Sequence, residues 1–187
     1  MLSHMEIIKA IEAGDISIDP FVPELVKRNS CLLRLGDRFR TVGGGGVIDV
    51  GDQASIDGAS GEPYQARDVV VDSSSLTLAS SLECISLAPD IVGVLSGISN
   101  VARLGVLVHA TSAFVNAGFG YEAPSRVTFE LATVGGLQVR LRTGIPLCHL
   151  AFVRMSEVST YERASARTGQ DFPGGSDLHT QFGRFIL

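Results

Sequence analysis

Three pieces in the middle of the chain decide how it folds: Gly97-Ile98-Ser99-Asn100-Val101-Ala102-Arg103-Leu104-Gly105, then Val108-His109-Ala110-Thr111, then Val127-Thr128-Phe129-Glu130-Leu131. The last alternates. Val127, Phe129 and Leu131 fall on one face of a strand, Thr128 and Glu130 on the other. In the first piece Ser99 and Arg103 stand four apart, so one helical turn brings them to the same side. His109 and Thr111 alternate with Val108 and Ala110 as a strand pair would. Outward from this centre almost every segment reads as a short strand: Leu33–Leu35, Val47–Val50, Val69–Val71, Leu76–Leu78, Leu82–Ile85, Ile91–Leu95, Val106–Val108, Val139–Leu141 and Leu147–Val153. Turn residues punctuate them at short intervals, the pattern of an all-β barrel or sandwich.

The composition agrees. The chain has 187 residues, 45% hydrophobic and 19% charged, with 21 Gly and no Trp. It can bury a sizeable core as one domain spanning 1–187, and global disorder is excluded. Twenty acids against 15 bases give a formal charge of −5, which does not attract a nucleic acid polymer over a broad face. A pocket for a small phosphate is still allowed. No run of about 18 apolar residues exists, so no membrane segment is expected. No basic flank precedes an apolar stretch at the N-terminus, so no signal peptide is expected. Cys31, Cys84 and Cys148 are odd in number and scattered, which argues for a reducing cytoplasm rather than a disulfide framework. The His-x-Glu and Pro-Cys-x-x-Cys pattern of the zinc deaminases is absent. His149 is next to Cys148, but a strand sends the two to opposite faces, so they do not read as a shared metal site.

Ser3 and Glu6 form a capping box ahead of Ile7, Ile8 and Ile11, which predicts one short helix over residues 4–13. Residues 51–66 read as a polar loop. Gly43–Gly46 lacks the Lys and Ser/Thr of a phosphate-binding P-loop and reads as a flexible hairpin. Residues 156–187 read as an irregular arm ending in the apolar Phe185-Ile186-Leu187, placed to dock elsewhere.

The three central pieces resemble the dCTP deaminase branch of the dUTPase-like superfamily, which carries Gly-Arg-Ser-Ser-Leu-Ala-Arg-Leu-Gly, then Val-His-Val-Thr-Ala, then an apolar strand ending in Leu-Glu. Ile18-Asp19-Pro20-Phe21, Leu33-Arg34-Leu35-Gly36, Leu141-Arg142-Thr143-Gly144, Gly169-Gln170 and Gly183-Arg184-Phe185 extend the similarity over nearly the whole chain. The resemblance implies a mainly β fold, a dUTPase-like distorted barrel or jelly-roll of the β-clip type with a short N-terminal helix. It implies a homotrimer with active sites between subunits, a deoxynucleoside triphosphate bound with Mg2+, and deamination without zinc.

By the same resemblance Glu130 is the catalytic acid/base. On pattern alone it is a solvated acid on a half-buried strand. A carboxylate enclosed in a pocket can take a proton from water and return it to a departing amine. Ser99 would hold phosphate or the water site, and Arg103 would support the catalytic region. Asn100 joins them in the same turn, and His109, Ala110 and Thr111 wall the pocket. Departures from the family pattern are also present. Ile98 replaces a phosphate-contacting Arg, Asn100 a Ser, Asn116 an Asp, and Leu32 an Asp. Phe114 stands where monofunctional deaminases carry an Arg. Losing a charge-assisted phosphate contact removes about 1.5–3 kcal/mol. Replacement cations are Arg126, read as part of a lengthened loop, and Arg163, Arg167 and Arg184 in the tail, where Gln170 matches a family Gln.

The function expected is hydrolytic deamination of a cytosine deoxynucleotide to dUTP and ammonia. Two alternatives stand beside it: an impaired trimeric nucleotide-binding or regulatory paralogue, and a dUTP diphosphatase-like hydrolase. A structural β module without a ligand is the rival from a different class.

Overall fold

The computed structural model describes residues 1–44, 46–109, 112–158 and 169–185. It is mainly β. Helix α1 (His4–Glu12) starts at the expected capping box, where the Glu6 carboxylate accepts from the Ser3 N–H at 2.8 Å and its hydroxyl at 2.7 Å. Those two bonds hold the Glu6 carboxyl below its usual range. Ile7 and Ala10 face the core.

β1 (Ile16–Asp19) pairs with β5 (Leu76–Leu87), and β2 (Cys31–Val42) pairs further along the same edge of β5. β3 (Tyr64–Gln65) adds to β2, while β4 (Asp68–Val71) pairs with β10 (Val139–Arg142) in a separate ribbon. β6 (Ile91–Gly97), β8 (Phe114–Val115), β9 (Ser125–Thr133) and β11 (Pro146–Arg154) complete the main sheet with β7 (Val106–Leu107). Its order is β7-β9-β5-β2-β11-β6-β8. The segment joining β7 to β8 bonds to both ends of this order: Val108 C=O accepts from Glu130 N–H, and Ala113 C=O from Leu95 N–H. The sheet is thereby curled into a half-barrel around Phe39, Phe129, Phe152, Leu33, Leu131 and Leu147, all fully buried.

Two glycines sit where no side chain fits. A Cβ on Gly36 would meet Ser81 O at 2.6 Å, where β2 crosses the irregular stretch of β5. Gly120, at φ +65, would place one 2.2 Å from Ile85 O.

Several expectations need correction. Leu76–Leu78 and Leu82–Ile85 are one strand whose register shift lies between Ser80 and Cys84, so two apolar runs mark one element. Val47–Val50 is not a strand. Val47 is 96% exposed, because nothing pairs with a segment held between glycines and the next helix. Gly43 and Gly44 open the connection between the antiparallel strands β2 and β3, and that connection is long enough to hold a helix. Residues 51–66 are not plain loop: Asp52 caps α2 (Gln53–Gly58) by accepting from Ala54 N–H, and β3 follows. The tail is not wholly irregular, since α4 (Leu178–Phe182) and a 3-10 turn (Gly183–Phe185) form within it. Phe185 is 65% exposed in the single chain, and Ile186 and Leu187 lie outside the described residues.

Candidate active site

β9 shows the alternation read from its sequence. Val127, Phe129 and Leu131 are buried, and Arg126, Thr128 and Glu130 are half-buried on the opposite face. Directly paired residues share a face, so Arg40, Leu78 and Glu130 form one row across β2, β5 and β9, with Ser80 and Thr128 in the next. Glu130 is thus held on three strands, not on a loop, and its backbone N–H is fixed by Val108 C=O at 3.0 Å.

The arm returns over this face. Gln170 donates to Thr128 Oγ1 at 2.8 Å, and its C=O accepts from Arg126 N–H at 3.0 Å. Gly169 N–H bonds Ser125 Oγ at 2.7 Å. Asp171 bridges Arg38 and Arg126, Phe172 covers the Arg38 guanidinium at 5.1 Å, and Pro173 C=O accepts from Arg40 Nε at 3.0 Å. The arm is therefore docked over this face at Gly169–Pro173, and again on α2, where Gln53 donates to Ser176 C=O at 3.0 Å and accepts from Thr180.

His109 sits in the bridging segment directly after Val108. Its Nε2 is buried and has no hydrogen-bond partner among the described residues. Buried polar atoms are nearly always paired in a folded protein, by protein or by water, so a lone ring nitrogen on the residue after Val108 marks a place for another group. Ser80 Oγ, in the row next to Glu130, is in the same condition.

The other expected residues fall as follows. Ser99 opens α3 (Ser99–Ala102), and the Arg103 N–H bonds the Ser99 C=O at 3.0 Å, so the two share one turn as their spacing predicts. Ser99, Asn100 and Arg103 are exposed, as is Asn116 in the turn after β8. Ile98 precedes α3 and packs against the core, an apolar role that leaves no cation there. Arg126 is not in a loop: β9 begins at Ser125, and Arg126 Nη1 donates to Ser81 C=O at 2.8 Å and to Leu82 C=O. Arg184 lies over Phe185 at 4.7 Å. Ala110, Thr111, Arg163 and Arg167 lie outside the described residues. Shallow cavities of about 410 and 500 Å³ open beside Arg67 and beside Lys9, and neither is lined by Glu130.

The sequence reading passed over Glu83. It is 1% exposed, and its carboxylate takes Arg34 Nε at 2.6 Å and Arg34 N–H at 2.9 Å. Parity was the available signal, because Glu83 alternates in step with the buried Ile85 and Leu87. Burial, with Glu83 adding to it, pushes the thiols of Cys31 and Cys148 up to about 12. Neither is a nucleophile at neutral pH. Among the described residues no group of three or more His, Cys, Asp or Glu is placed to hold a metal ion. Among the described residues no helix is long and apolar enough to cross a membrane.

A family model described as dCTP deaminase-like matches residues 1–155. A curated relative from Methanoregula boonei, named "dCTP deaminase, dUMP-forming", is 39% identical over 144 residues, covering 76% of this chain and 75% of the relative. One of the same name from Salinispora arenicola is 33% identical over 181 residues, covering 93% and 90%. The solved 2'-deoxycytidine 5'-triphosphate deaminase of Agrobacterium tumefaciens shares the fold with a TM-score of 0.61 at 16% identity. That match takes in 81% of this chain and 45% of the other.

Proposed function

The chain belongs to the dCTP deaminase-like family, and on that premise we propose that it hydrolyses the 4-amino group of a cytosine deoxynucleotide, dCTP first. Glu130 takes a proton from the water that adds to C4 and delivers it to the amine, which departs as ammonia and leaves uracil. The observation that carries this reading is the position of Glu130: half-buried on a strand, with its backbone N–H bonded to the Val108 C=O that precedes His109, on the face where Gln170 bonds Thr128.

In this reading the substrate is the magnesium complex of the nucleotide. Its metal rides on the phosphates. Zinc has no part in it. Ser99, Asn100 and Arg103, exposed on α3, are offered to a neighbouring copy, so the working form is a homotrimer in which two chains build each site. His109 turns toward the base, Gln170 closes over it, and Ala110, Thr111 and Arg167 complete the walls and the phosphate contacts. Its compartment is the cytoplasm.

The relatives' names make the product a separate question. With Asn116 in place of the family Asp, the water-ordering base for phosphate hydrolysis is missing, since an amide does not take up a proton at neutral pH. The product is therefore dUTP rather than dUMP. The core-packed Ile98 favours the second reading, a nucleotide-binding paralogue without turnover. Chromatography of dCTP incubated with the protein separates the two. Uracil nucleotide that vanishes in Glu130→Gln supports the enzyme, and binding without product supports the paralogue.

A further inference from the structure

Arg38 on β2 and Arg126 on β9 converge on one atom, Oδ1 of Asp171, with the Arg126 Nε at 3.1 Å. Both guanidinium side chains are about four-fifths buried, at 20% and 19% exposure, while Asp171 is 56% exposed. The pair is built into the sheet. Two carbonyls, of Ser81 and Leu82, anchor Arg126 Nη1 from β5. Two positive charges thus face one negative charge, and Arg38 Nε is buried with no partner among the described residues. A carboxylate underfills such a site. A phosphate group brings more charge and three or more acceptor oxygens, and guanidiniums bind it in fork geometry.

We propose that Arg38 and Arg126 form the phosphate-binding pair of this protein, and that Asp171 is a tethered occupant which a phosphate group displaces. Arg126 stands four residues from Glu130 on the same face of β9, about 13 Å along the strand. That span suits a nucleotide lying along the strand with its base amine at Glu130 and its outer phosphates at the pair. The identity of the phosphate as a nucleotide's rests on the function proposed above; the anion site itself does not.

Isothermal titration calorimetry of the full chain and of Asp171→Asn, with pyrophosphate, dCTP and deoxycytidine in turn, tests this. If Asp171 fills the site nine-tenths of the time, removing its charge tightens apparent affinity about tenfold. The expected result is that gain for pyrophosphate and dCTP, none for deoxycytidine, and its loss in Arg38→Gln/Asp171→Asn. Asp171 is exposed enough that the variant keeps its fold, which circular dichroism confirms. Pyrophosphate binding no tighter than wild type, or absent, overturns the proposal. A gain for pyrophosphate alone overturns its nucleotide part. Pyrophosphate has no amine to lose, so a chain that never deaminates dCTP still shows the first gain.

Discussion

Replacing Glu83 with Ala removes a fully buried carboxylate and strands its partner. Arg34 loses two charge-assisted bonds, at 2.6 Å from its Nε and 2.9 Å from its backbone N–H, and its Nη2 is already buried without a partner among the described residues. Breaking a buried ion pair from one side costs about 3–5 kcal/mol. Arg34 keeps 20% of its side chain in solvent, which places the cost at the lower end of that range, about 3 kcal/mol. For a chain of this length each kcal/mol moves the melting temperature by about 2–4 °C, so the loss is roughly 6–12 °C. Differential scanning calorimetry reads it directly. A double variant, Arg34→Met/Glu83→Leu, recovers most of the loss, because no uncompensated charge is left inside. A melting temperature within about 2 °C of wild type for Glu83→Ala would refute the claim that breaking this buried pair is costly.

Other outcomes follow from the same structure. Cys31 and Cys148 hold their protons up to about 12, so native protein exposes neither to a thiol reagent at pH 8, and only Cys84 is titrated by Ellman's reagent before unfolding. Folding raises the proton affinity of the two buried thiols. Their stabilisation is therefore full below the ordinary thiol pKa of about 8.5 and is lost as pH rises from there toward 12. Urea midpoints across that window fall in wild type and fall less in Cys148→Ser. Gly120→Ala forces a Cβ onto Ile85 O from a positive φ, and it costs about 1–3 kcal/mol by the same urea titration. Asn116→Asp shifts the product of dCTP turnover from dUTP toward dUMP on chromatography.

The strands were legible where their two faces differ. β9 and β1 alternate cleanly because one side meets the core and the other does not, and the capping box of α1 is local chemistry that needs no partner. The sequence misleads where tertiary contacts decide. Val47–Val50 has strand composition but no strand beside it, and α2 is a single capped turn and a half with one buried residue, Ile56. For the proposed site, Glu130, Ser99 and Arg103 are picked out through a motif, and Gln170 through a two-residue match that the structure places against Thr128. Arg38, Arg40 and Asp171 were invisible. Each is an ordinary charged residue in its own segment, and only the register of β2 on β5 and the return of the arm bring them together. Glu83 was missed for the opposite reason. Its parity is inward, but an acid among apolar neighbours means little until its Arg partner, 49 residues away, is known.

The central claim is that the Glu130 carboxylate moves the proton in deamination. Steady-state release of ammonia from dCTP, measured for wild type and Glu130→Gln at equal nucleotide occupancy, tests it most directly. Removal of a general acid/base lowers kcat by about 10²–10⁴-fold while nucleotide binding is kept. Wild-type turnover that survives unchanged in Glu130→Gln would contradict the account.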